Sequence, residues 1–141
     1  MVVFLLAFFQ FTRSLKQNSE SSSKLKWLLI TFAVVHVIHF GLLATNVVVN
    51  EIPLEVHKLI GGALAYLMIV IAPFILHRLS LAWQLVYFYY VSFVMIMTYI
   101  ARIKGDFEGA EPYWLHYVAL LAVVGCCLIF GVSIYRSQKN Y

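Results

Sequence analysis

Charge is what this sequence has least of. Only 11% of its 141 residues are charged, and six of those side chains are acidic. A soluble domain of this size needs far more polar surface to face water, so a globular protein in solution is excluded. Cysteine is nearly absent, with two residues in the chain. They stand side by side as Cys126 and Cys127, with no CxxC and no CxxCH, which removes the usual sequence support for thiol redox chemistry and covalent haem attachment. Both read as small packing residues inside a long apolar run. There is also no Gly-rich phosphate loop, no internal repeat, and no low-complexity tract beyond Ser21–Ser22–Ser23. Nothing in the sequence has the form of a nicotinamide or flavin site.

What is abundant is apolar sequence, at 63% of residues. It is gathered in four runs, 27–49, 54–76, 81–101 and 112–135, separated by short polar breaks. A hydrocarbon core about 30 Å thick takes about 20 helical residues to cross. The expected fold is therefore all-α: an integral membrane four-helix up-down bundle, with consecutive helices antiparallel because their connections are short. Residues 1–12 form a further apolar segment, too short to cross a full bilayer unaided and without the charged start or cleavage pattern of a signal peptide. It is expected to lie in the interface or to be a short tilted span. Residues 13–26 read as a polar, mobile linker, and residues 27–141 as the four-span domain.

Helix ends carry signals. Pro53 and Pro112 suit first helical turns, the latter preceded by Glu111, and His77–Arg78–Leu79–Ser80 reads as a tight turn. Pro73 frees a carbonyl inside the second run and is given a packing role. Trp27, Trp83 and Trp114, with Tyr113, Tyr117 and Tyr135, form aromatic belts at the two interfaces.

The net charge of +4 reports topology, and no nucleic-acid partner is expected. Arg13, Lys16, Lys24, Lys26, Arg78, Arg136 and Lys139 fall on one side of an alternating bundle. Lys58, Arg102 and Lys104 share the other with Glu51, Glu55, Asp106, Glu108 and Glu111. By the positive-inside rule the first side, with the 77–80 turn and the C-terminus, is expected to be cytoplasmic.

Ionisable side chains inside a membrane are costly, so each histidine is a candidate for function. His57 begins the second span and His116 the fourth, each about 6 Å in from the acidic side, which makes them nearly level. The second and fourth helices of such a bundle lie diagonally, the arrangement two axial haem ligands require. Gly61, one turn after His57, leaves room for a porphyrin. His36 and His39 share a helix face nearer mid-bilayer. They are candidates for a second ligand set, or His39 could join His57 and His116 around a metal ion. His77, beside Arg78, reads as a snorkelling residue. In the third span Gln84, Tyr87, Val91, Met95, Thr98 and Arg102 follow helical spacing along one side, which is expected to face the bundle interior or another subunit. Arg102 at its end suits an anion such as a porphyrin propionate, and the stripe could hold a quinone head group. A wholly structural set of histidines, hydrogen-bonding between helices while Gly61, Gly62 and Ala65 pack, stands as the alternative.

The run His57–Lys58–Leu59–Ile60–Gly61 resembles the His-Lys-x-x-Gly segment with which bacterial four-helix membrane cytochromes b open a haem-ligating helix. That resemblance implies haem b, electron transfer with a quinone or a partner subunit, and His57 with His116 as the ligands. The family usually carries two histidines in its fourth helix, whereas this chain has His116 alone. Three functions therefore stand side by side: a b-type cytochrome or haem-bearing membrane anchor, a non-catalytic subunit of a larger membrane complex, and a membrane metal-binding or transport protein. Whether the chain is an enzyme is left open.

Overall fold

The protein is described by a computed structural model covering residues 1–14, 20–51, 56–105 and 113–139, with the side chains of 20–22, 56–59 and 136–139 left out. Pro53, Glu111 and Pro112, expected to start helices, lie outside the described residues. Five α-helices follow one another: α1 (Val2–Ser14), α2 (Glu20–Val49), α3 (Val56–Ile75), α4 (Leu81–Lys104) and α5 (Trp114–Lys139). A single 3-10 turn, Leu76–Arg78, links α3 to α4. Four of the helices hold segments long and apolar enough to cross a membrane: Ser23–Val49, Ile60–Arg78, Leu81–Lys104 and Trp114–Tyr135. The protein is an all-α, multi-pass membrane protein.

Four helices run past the expected limits, α1 to Ser14, α5 to Lys139, and α2 and α4 for reasons the structure shows. Helix α2 begins at Glu20, so the second half of the polar stretch 13–26 is helical. Leu25 and Leu28 pack against the buried cluster, and this tertiary contact extends the helix beyond its apolar run. Helix α4 continues to Lys104 and stops at Gly105, whose φ of 77° is open to glycine without penalty. There the Gly105 N–H turns back onto the carbonyls of Ala101 and Arg102.

The short first helix packs into the bundle through one face. Its Phe4, Ala7, Phe8 and Phe11 are 0–2% exposed. These positions recur at helical spacing and make one face, while Val2, Leu6 and Phe9 make the other. Each helix packs on the next, and α1 closes the circuit by packing on both α2 and α5. The four-span bundle is thus completed by a fifth helix of about 20 Å.

The core lies in one half of the molecule and is aromatic. Phe88 of α4 is its hub, stacked on Phe8 (ring centroids 5.0 Å apart) and Phe11 (4.6 Å) and reached by Phe4. Phe130 of α5 meets Phe8 at 4.4 Å, and Phe32 of α2 meets Phe4 at 5.2 Å. Leu29, Ile69, Ala72, Leu76, Tyr87 and Val91 surround them. This half also carries Arg13, Lys24, Lys26 and Arg78, and is called the basic end below.

The opposite half is packed differently. Outside the aromatic cluster the buried apolar residues are the small Ala65, Ala119 and Val123. Helix α2 leaves the bundle here: from 34 to 50 every residue is exposed except the half-buried His36 and Val47. A tie across α3 and α4 comes from Tyr90, whose hydroxyl donates to the Gly61 carbonyl at 3.1 Å.

Candidate functional site

All the membrane histidines belong to this second half, and hydrogen bonds tell them apart. In α2 the His36 Nδ1 lies 2.9 Å from the Phe32 carbonyl. A carbonyl can only accept, so Nδ1 carries the proton and Nε2 keeps its lone pair. That is the tautomer seen in metal-bound histidines, where the far nitrogen donates to a carbonyl or carboxylate. The ring packs on Phe32 at 4.0 Å and faces Tyr66 of α3 at 5.9 Å, and Tyr66 is also met by Phe40.

His116 has the opposite assignment. The Tyr113 N–H donates to its Nδ1 at 3.3 Å, while the His116 N–H donates to the Tyr113 carbonyl at 2.9 Å. An amide N–H can only donate, so Nδ1 is the accepting nitrogen and the proton sits on Nε2. His116 therefore does at the start of α5 what Glu or Gln does in a capping box, satisfying a backbone donor that the helix leaves over. In this contact the Nδ1 lone pair is taken by the Tyr113 N–H. Its other neighbour is Tyr99, at 6.5 Å between ring centroids.

Two tyrosines of α4 reach the residues expected to share a haem: the Tyr90 hydroxyl meets Gly61, one turn after His57, and the Tyr99 ring lies near His116. The space over Gly61 is also occupied, since the Tyr90 hydroxyl would lie 3.9 Å from a Cβ placed there. The His57 side chain lies outside the described residues. The described residues hold no group of three or more His, Cys, Asp or Glu side chains that could bind a metal ion.

His39, one turn beyond His36, is exposed on the outer surface of α2 and makes no hydrogen bond among the described residues. It lies ten residues before Val49, about 15 Å along the helix and so near mid-bilayer. Asn46 and Asn50 continue the polar positions on this half of α2, Asn50 donating to the Asn46 side chain at 2.7 Å. Arg102 occupies the last turn of α4, half-buried and one turn beyond Tyr99.

The inward stripe of α4 is real in its middle, where Tyr87 and Val91 are buried. Gln84 has a local task instead. Its side-chain amide donates to the carbonyls of Leu76 (3.0 Å) and Leu79 (2.9 Å), clamping the turn between α3 and α4. Thr98 likewise bonds within its own helix, to the Val94 carbonyl at 2.8 Å. The free thiols of Cys126 and Cys127 are half-buried, and Cys126 and Cys127 pack against the aromatic cluster.

No protein-family model, curated protein or solved structure matches this chain.

Proposed function

We propose that the protein is a non-catalytic subunit of a membrane complex, seating a transmembrane helix of a partner against the outer half of α2. The observation that carries this reading is His39, an imidazole near mid-bilayer, exposed and without a hydrogen bond among the described residues. Such a group is expensive in lipid and is stabilised when a neighbouring helix supplies a polar partner. The polar positions of Asn46 and Asn50 extend the same surface. The basic end faces the cytoplasm in this reading, by the asymmetry of Lys and Arg. A cysteine placed at Lys24 is then expected to resist a membrane-impermeant maleimide in intact cells, and one at Asn50 to react; the reverse pattern inverts the topology.

A photo-crosslinking residue at Leu42, which is 67% exposed, tests the partner. In native membranes it is expected to yield one discrete protein adduct that His39→Leu removes. The same probe at Leu121 of α5 is the control surface. Lipid adducts alone at Leu42, or a protein adduct indifferent to His39→Leu, would sink the proposal.

A second reading is favoured by His36, whose Nε2 lone pair is left available by the bond to Phe32. Here the chain is a haem-bearing anchor exchanging electrons with a quinone or a partner, as the His57 segment resembles. Haem b supplies one-electron chemistry when bound. The chain's own contribution is the Nδ1–H bond that orients the His36 ring and its packing on Phe32. A dithionite-reduced minus air-oxidised spectrum of purified protein decides between the two. An α band lost in His36→Ala and kept in His116→Ala supports this second reading. A featureless spectrum at full recovery removes it.

A further inference from the structure

The basic end holds a groove that the partner reading does not use. It lies between the start of α2 and the end of α3, with a volume of about 380 Å³, and is lined by Ser23, Leu25, Lys26, Leu29, Pro73, Leu76 and His77. Its floor and rim differ in chemistry. Leu29, Pro73 and Leu76 are buried and apolar, whereas Ser23, Lys26 and His77 are exposed and polar. The rim donates hydrogen bonds. Lys26 carries an ammonium, Ser23 a hydroxyl, and His77 accepts a bond from Arg78 Nε on its Nε2 at 3.4 Å, which puts the imidazole proton on Nδ1. Arg78 and Lys24 stand next to these groups in sequence, and no carboxylate occurs among the described side chains of this end.

We infer that this groove binds an anionic phospholipid, its phosphate at the Lys26–His77 rim and its glycerol and upper acyl carbons over Leu29, Pro73 and Leu76. Three observations select a lipid over other occupants. The site stands at the basic end of two membrane-spanning helices, at the level of the exposed Trp27, where head groups lie. Its cationic rim complements a phosphodiester, and clustered basic residues at such a position attract acidic lipids. Its apolar floor has no use for a free phosphate but matches the next part of a lipid. The site is held in shape before binding, because the Gln84 amide fixes the Leu76 and Leu79 carbonyls of the turn that carries His77.

Native mass spectrometry of the full chain, released from detergent with added phosphatidylglycerol or phosphatidylcholine, tests this. One phosphatidylglycerol is expected to stay bound where phosphatidylcholine does not. Lys26→Gln is expected to weaken it about fivefold, the effect of one basic group near a membrane surface, and His77→Leu to weaken it by removing the Nδ1–H donor of the rim. Lys104→Gln, an exposed lysine at the opposite end, is expected to leave binding unchanged. Both substituted side chains at the rim are exposed, and helical content by circular dichroism confirms that each variant folds. Equal retention of the two lipids overturns the inference, as does indifference to both rim variants. Displacement of the lipid by millimolar inorganic phosphate also overturns it, by showing a site for the free anion.

Discussion

Deleting residues 1–14 is expected to leave a chain that still enters the membrane with four spans but no longer packs them. The deletion removes Phe4, Phe8 and Phe11 from contact with Phe32, Phe88 and Phe130, so each of these three rings loses a neighbour. In a water-soluble protein, truncating a buried Phe costs about 3–5 kcal/mol. Part of that is transfer out of water, which does not apply between a membrane core and lipid tails. What persists is the lost dispersion contact and the cavity, about 2 kcal/mol per ring at the low end of that range. Three rings together exceed the margin of about 5 kcal/mol with which a marginal fold of this size is held. The checks are resistance to protease in detergent and the midpoint of a dodecyl sulfate titration followed by circular dichroism. A truncated chain as resistant as the whole one would show that α1 rests on the bundle without supporting it.

The second large effect is expected at a single position. Phe88→Ala should lower stability by about 2–3 kcal/mol, with Phe93→Ala within about 0.5 kcal/mol of wild type. Both residues lie on α4 and differ by the same benzyl group. Phe88 is 0% exposed and meets rings from α1 at three positions, whereas Phe93 is 58% exposed on the outer surface. The comparison cancels helix propensity and any effect on insertion. A larger loss from Phe93→Ala than from Phe88→Ala would mean that α4 faces its neighbours with the other side.

The spans were legible in the sequence because an apolar run of that length has one physical explanation. The role of α1 was not, and the reason lies in its composition. Almost every residue from Val2 to Phe11 is apolar, so the inward set of Phe4, Ala7, Phe8 and Phe11 has no polar face to stand out against. The inward stripe of α4 could be read because Gln84, Tyr87 and Thr98 broke an otherwise apolar pattern. His116 shows a different limit. Its partner is the backbone N–H of Tyr113, and a backbone amide leaves no mark in the sequence to distinguish a helix cap from an iron ligand. His36 and His116 are the same residue type with opposite tautomers, decided by whether the nearest main-chain atom accepts or donates.

The circuit of helices has a consequence for how the chain is made. Its aromatic centre joins the first helix to the last, since Phe8 meets Phe130. During synthesis Phe4, Phe8 and Phe11 are made before α4 and α5, and until those helices leave the ribosome Phe32 of α2 is the partner ring available from the buried cluster. Until then α1 can only shelter beside α2, as the lighter arm of a hairpin. Its inner rings stay open to chaperones and membrane proteases until α4 and α5 pack on them.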